Sequence, residues 1–194
     1  PQLRSAMRLM WDRRTILFSL TAAGLAPQAL AQTPDRGLPF ALKVAAGAEL
    51  RAKKAETYDP AYVVLAYPMG DVADDRGVCT DTVIRAFRHA GVDLQVEVHQ
   101  DMRANFAAYP KAWGLKKPDR NIDHRRVPNL QTFFTRQRAG LTVPDRWSAW
   151  QPGDILTCLV GGTLPHIALI SERKSLITGR PLLLHNIGAG MREE

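Results

Sequence analysis

Cys79 stands immediately before a run in which Val83, Ala86, Phe87 and Ala90 recur at spacings of three and four residues. That spacing predicts a helix with one buried stripe, so the cysteine falls at a helix start. Unpaired N–H groups and the positive end of the helix macrodipole favour a thiolate there, and the thiolate is the nucleophilic form of cysteine. The same N–H groups, that of Cys79 among them, can hold the oxyanion of a tetrahedral intermediate. His166 follows Pro165 at the start of an apolar run and His185 lies near the end of the next one. A histidine on a strand opposite a helix N-terminus can take the thiol proton and return it to a leaving amine. If the two runs pair as a hairpin, His185 can orient the His166 ring, as the third member of a triad does. Asn186 is the alternative orienter. Adjacent strand residues point to opposite faces, so only one of the two can serve.

Other residues admit a plainer reading beside a functional one. Cys158 sits in an apolar run and is expected in the core. Cys79 and Cys158 could instead share one disulfide. His89 and His99 have no constellation around them and are expected to be solvated. The segment Arg120-Asn121-Ile122-Asp123-His124-Arg125-Arg126 is a polar loop. Its arginines could pair internally with Asp119 and Asp123, or bind substrate carboxylates through bidentate contacts. Arg120, Asp123 and Arg125, with Asn186, are therefore the candidate substrate-binding residues. Asp119, Asp123 and His124 match no zinc spacing, so no metal and no cofactor is expected. Asp81 is a cap or a participant in the site.

These residues must be positioned by helices first and strands afterwards, an α+β order. Helical spacing predicts a helix over about Pro39 to Lys54, one over Cys79 to Ala90, a helical or irregular stretch from Val92, and a short helix over Val127 to Gln137 entered through Pro128. Tyr62 to Ala66 is a short apolar run broken by turn residues. Three apolar runs, Asp154 to Val160, His166 to Ser171 and Leu182 to Ile187, read as antiparallel strands. The last two are linked by a long loop from Glu172 to Pro181.

The chain has 194 residues, 45% hydrophobic and 23% charged, the profile of one soluble domain with a real core. Its formal charge is +7; residues 1–31 carry four arginines against one aspartate, leaving +4 for the remainder. Apart from Lys116-Lys117 and Arg125-Arg126 the basic residues are scattered, and no nucleic-acid-binding motif is present. The N-terminus has the layout of a signal peptide: Arg13-Arg14, the apolar run Ile16 to Leu25, and the small-x-small site Ala29-Leu30-Ala31. Both Sec and twin-arginine export fit this pattern. The expected division is a leader over 1–31 and a hydrolase domain over 32–194. The mature chain is expected to be periplasmic or secreted and to have no membrane span, because the apolar run is too short for one.

The segments Pro152-Gly153-Asp154-Ile155-Leu156, His166-Ile167-Ala168-Leu169-Ile170 and Leu183-Leu184-His185 resemble the second half of NlpC-type cell-wall cysteine peptidases. A closer resemblance is to domain-of-unknown-function family 1287. It is carried by Asp-Arg-Gly-Val-Cys-Thr-Asp at 75–81, Arg-Asn-Ile-Asp-His-Arg-Arg-Val-Pro-Asn-Leu at 120–130 and His-Asn-Ile-Gly at 185–188, and covers about residues 40 to 194. It implies a papain-like fold, with a Cys-bearing helix packed on an antiparallel sheet bearing the histidines. It also implies peptide or amide bonds of peptidoglycan as substrate. The NlpC-type enzymes have Asp-Cys-Ser-Gly where this chain has Val78-Cys79-Thr80-Asp81, and they lack the basic 120–126 loop. A further strand is expected where the chain stops at Met191–Glu194, so truncation at the C-terminus is expected. Two rival functions stand beside an endopeptidase: a muramoyl-alanine amidase, and a non-catalytic wall-binding module on the same fold.

Overall fold

The computed structural model describes residues 39–194, together with the backbone of a strand at Met7–Leu9 (β1). The rest of the expected leader, including its cleavage point, lies outside the described residues.

Helix α1, Phe40–Ala52, begins after Pro39 and buries Val44, Ala45 and Ala48. It crosses helix α2, Cys79–His89, at a contact of small residues. A Cβ on Gly47 would stand 2.7 Å from His89 Cβ and 3.1 Å from the Ala86 backbone, so only glycine permits this approach. In α2 the predicted stripe is buried, and so is every residue from Cys79 to Phe87. Phe87 meets Phe40 edge-on at 5.6 Å and Phe134 at 5.6 Å, geometries that rings prefer. The helix ends where Val92 N–H reaches back to Phe87 O, with Gly91 at φ 83°, a glycine-based C-cap. Helix α3, Leu94–Asn105, is started by Asp93, whose carboxylate accepts from Gln95 N–H at 3.1 Å. Helix α4 is Val127–Arg136, with Pro128 in its first turn. The ambiguous stretch after Val92 is therefore a capped helix.

Two short strands, β2 (Thr57–Tyr58) and β3 (Arg76–Gly77), pair in parallel just before α2. After α4 come β4 (Gly140–Leu141), β5 (Ile155–Val160), β6 (Leu164–Lys174), β7 (Pro181–Asn186) and β8 (Met191–Glu193). Together with β1 they form an antiparallel sheet of order β4-β1-β5-β6-β7-β8. The fold is α+β. Met191–Glu193 forms the last strand of the described sheet, at its edge beside β7. Strand β6 runs past Ser171 to Lys174 on exposed residues, so the loop after it is shorter than the reading from Glu172.

The face of the sheet towards the helices carries Ile155, Ile167, Leu169, Leu184 and Met191, packed with Val83, Phe87, Leu130, Phe133 and Phe134. Burying each such side chain is worth about 1.5–3 kcal/mol. The opposite face has a smaller cluster of Trp150, Leu156 and Ile170. Pairing between β6 and β7 begins at Leu169 with Leu184 and continues away from the site. Residues 166–168 pair with β5, and His185 and Asn186 pair with β8. The two central strands thus separate at the end where both histidines stand. Among the described residues no helix is long and apolar enough to cross a membrane.

Candidate active site

Cys79 is the first residue of α2, 6% exposed. The backbone N–H groups of Ile167 on β6, of Thr80 and of Cys79 itself lie near its sulfur and favour the thiolate. The sulfur therefore lies near β6, beside the residue that follows His166. His166 Nε2 and His185 Nδ1 are 2.9 Å apart, with the rings edge-on. The structure brings His166 and His185 together, and it sets the Cys79 sulfur near the backbone N–H of Ile167, the residue that follows His166. Both histidines alternate with Ile167, Leu184 and Asn186 along their strands, which sets them on a common face.

The charge state follows from burial. The thiol is pushed up to about 11, chiefly by desolvation and further by the Asp81 carboxylate, which together outweigh the three N–H groups. The expectation of a thiolate at this helix start is thus corrected. His166 is pushed down to about 4 by burial and by His185 beside it. Burial lowers His185 too, against a pull upward from Glu194. At neutral pH the site holds a thiol and two neutral imidazoles. Glu194 Oε1 lies 3.2 Å from His185 Nε2, an ion-pair distance without hydrogen-bond alignment. One tautomer assignment satisfies all of these contacts. His166 Nε2–H donates to His185 Nδ1, His185 Nε2–H faces Glu194, and His166 Nδ1 is left as an acceptor.

The surrounding frame consists of ion pairs that are already satisfied. Asp81 accepts from Val78 N–H at 2.7 Å, capping α2. It also receives Arg125 Nε and Nη2, each at 2.9 Å, with both side chains 2% exposed. Thr80 Oγ1–H donates to Arg125 O at 3.0 Å. Asp81 is thus the cap that also docks the 120–126 loop against the helix start. The Nε/Nη2 edge of Arg125 is thus held by Asp81 and its Nη1 donates to Ala61 O at 3.2 Å, so the residue lines the Cys79 cleft with a guanidinium already engaged on two sides. Asp123 is likewise turned inward. It is 1% exposed, accepts from Asp119 N–H at 2.5 Å, and is raised to about 6 by desolvation. Asn186 is fully buried and donates to Glu56 Oε1 at 2.7 Å and Gly77 O at 3.2 Å. It is neither the orienter nor a substrate contact. Of the four candidate binding residues only Arg120 is exposed.

Glu56, 1% exposed, also receives Arg51 at 2.5 Å and Arg85 at 2.8 Å. Arg85 in turn holds Asp71 and three backbone carbonyls. Cys158 and Cys79 are both free. Cys158 is half-buried rather than in the core, and pairs with His166 near the turn that closes the β5–β6 hairpin. His89 is exposed as expected, whereas His99 is half-buried against the edge of Tyr67. Among the described residues no group of three or more His, Cys, Asp or Glu side chains is placed to hold a metal ion.

A cleft of about 480 Å³ opens over Cys79. Its walls are Tyr58, Tyr62, Trp113, Leu164 and Pro165, with Arg126 stacked on Trp113 at 4.2 Å. His166 and His185, each 7% exposed, do not line it. Sequence reasoning missed these aromatic walls. The available signal was large aromatics in loop segments rich in Pro and Gly, where packing gives them no core to fill.

The family described as Domain of unknown function (DUF1287) matches residues 45–194. The Uncharacterized protein YijF of Escherichia coli (strain K12) is 50% identical over 153 residues, 79% of this chain and 74% of that protein. No solved structure matches. The family match runs from within α1 to the end of β8 and takes in Cys79, His166 and His185: the chain belongs to the DUF1287 family.

Proposed function

We propose that this chain is a thiol hydrolase of papain-like, NlpC-type architecture that cleaves an amide or peptide bond of peptidoglycan outside the cytoplasmic membrane, through a Cys79 acyl-enzyme. The observation that carries this reading is the run of contacts from the Cys79 sulfur through the β6 backbone to His166, His185 and Glu194.

In the first step sulfur attacks the carbonyl carbon while its proton passes to His166 Nδ1. His185 accepts from Nε2–H and supports the imidazolium as it forms. The N–H groups of Cys79 and Thr80 lie where the oxyanion develops. Collapse breaks the C–N bond, the His166 proton goes to the leaving nitrogen, and a thioester remains. Water then gives up a proton to His166, attacks the thioester, and releases the acid with the thiol restored. A thiol of raised pKa is a stronger nucleophile once its proton is removed, so a neutral resting pair is compatible with turnover. His185 and Glu194 are positioning residues, since each acts through His166.

The choice of wall amides rests on the resemblance of the three strand motifs to NlpC-type enzymes. A non-catalytic wall-binding module is the second reading, favoured by the protonated resting thiol in an aromatic-walled cleft. Digestion of purified sacculi by the mature protein, beside Cys79→Ser, tests both. Release of soluble fragments by the wild type alone supports the hydrolase, and fragment masses separate stem endopeptidase from muramoyl-alanine amidase. Equal sedimentation of both proteins with sacculi, and no release by either, would contradict it in favour of the binding module.

A further inference from the structure

Trp113 stands between two depressions. On one side is the Cys79 cleft; on the other is a groove of about 610 Å³ lined by His99 and residues 113–121. Trp113 and Gly114 both have left-handed backbone, φ 62° and 68°. That conformation costs a bulky residue about 1–3 kcal/mol, yet the indole it presents is 55% exposed. Packing does not account for the strain; a surface role for the ring does.

The groove gathers three cations on one short segment, Lys116 to Arg120. Arg51, Arg76, Arg85, Arg88, Arg125 and Arg136 all have carboxylate partners. Lys116, Lys117 and Arg120 are exposed, and none has an ion-pair partner among the described residues. The one carboxylate in the groove, Asp119, is already engaged by the Tyr62 hydroxyl at 3.1 Å and by Asn121 N–H at 2.9 Å. Arg120 lies over the Tyr67 ring at 5.6 Å, which fixes its guanidinium near the groove. Three cations against the single Asp119 carboxylate leave the groove with an excess of positive charge, which favours an anion in it.

We propose that this groove is a second subsite for the substrate, taking a carboxylate of the peptide stem while the scissile bond lies in the Cys79 cleft across Trp113. The shared indole wall keeps the two sites within reach of one short peptide. This inference rests on the proposed hydrolase for the identity of the stem, but binding tests it separately from turnover.

The test uses the triple variant Lys116→Ala/Lys117→Ala/Arg120→Ala, alone and in the Cys79→Ser background. Its probes are native sacculi and sacculi whose carboxyl groups have been amidated. In the Cys79→Ser background, sedimentation is expected to show the triple variant binding native sacculi about tenfold more weakly than its parent. The parent should bind amidated sacculi no better than the variant does. With Cys79 intact, KM for native sacculi should rise about tenfold while kcat stays within twofold, with an unchanged thermal midpoint. Unchanged binding by the triple variant overturns the subsite. A loss that persists in full on amidated sacculi also overturns it, and assigns the groove to phosphate. Absence of turnover with amidation-sensitive binding retained would remove the hydrolase reading and leave the groove standing.

Discussion

His185 and Asn186 are neighbours on β7 and belong to two unlike regions. Asn186 points to the helix side, where its amide donates to Glu56 and Gly77 O and Glu56 also binds Arg51 and Arg85. His185 points to the other face, where it meets His166 at 2.9 Å and both imidazoles are buried and neutral, while the buried Cys79 thiol lies against β6 at the residue that follows His166. In the first region every charge has a partner and nothing is left to react. In the second, burial has shifted each group from its ordinary range, and His166 Nδ1 keeps an unused lone pair. Shifted groups beside a cleft mark chemistry, and matched charges mark scaffolding. Asp81 and Arg125 belong to the scaffold although they touch the same helix turn as the nucleophile.

The largest separation between the regions is expected from His166→Ala set against Arg125→Ala. The first should lower kcat about 10³–10⁴-fold while chemical denaturation shows a loss of under about 1 kcal/mol. The second leaves Asp81 charged and buried, so it should cost about 3–5 kcal/mol of stability and lower activity only through the folded fraction. A stable but inactive Arg125→Ala would move Arg125 into the reacting centre.

Next in size is the pair on β7. His185→Ala should lower kcat about 10²-fold, with a pH profile altered by the loss of support for the imidazolium. Asn186→Ala should cost about 1–3 kcal/mol of stability and leave kcat unchanged. The reverse result would make Asn186 the orienter.

Alkylation sharpens the comparison at the sulfur. With the Cys79 thiol at about 11, its iodoacetamide rate should rise about tenfold per pH unit from 7 to 10 and stand about 10²-fold below that of a free thiol at pH 7. A rate already flat from pH 5 upward would mean a thiolate–imidazolium pair instead.

The smallest effect is on stability against pH. His166, lowered from 6.5 to about 4, binds fewer protons folded than unfolded between those values. Its contribution is therefore complete above 6.5 and is lost as pH falls. About 2 kcal/mol should go between pH 7 and pH 5. His124, pushed to about 3 by burial, has the same sign. Asp123, raised to about 6, has the opposite sign and offsets about 1 kcal/mol over the same interval. Urea midpoints for wild type and His166→Gln should therefore diverge on acidification, the variant losing less. Parallel curves would mean that the His166 proton equilibrium is unperturbed by folding.

Periodicity was enough to place α2, α4 and the three long strands. Each is a continuous stretch whose buried face repeats at 3.6 or 2 residues. The pairing of His166 with His185 was legible for the same reason, since a hairpin brings its two strands together. The Tyr62–Ala66 run formed no strand. Leu65 N–H goes to the Asn121 side chain, and Val63 and Val64 remain exposed. Gln95 braces the same loops from α3, holding Ala66 O and Arg120 O. The Asp81–Arg125 pair lies beyond any local pattern, because it joins residues 44 positions apart. The protonated thiol was also out of reach, because desolvation depends on how completely β6 and the helices close around the sulfur, and that is a property of packing.

The most direct test of the account is intact-protein mass measurement after acid quench of the enzyme mixed with soluble stem-peptide fragments of peptidoglycan. The account predicts a transient adduct equal to the acyl half of the stem, mapped to the peptide containing Cys79 and absent from Cys79→Ala. Turnover with no adduct at any quench time, or an adduct that Cys79→Ala retains, would contradict it.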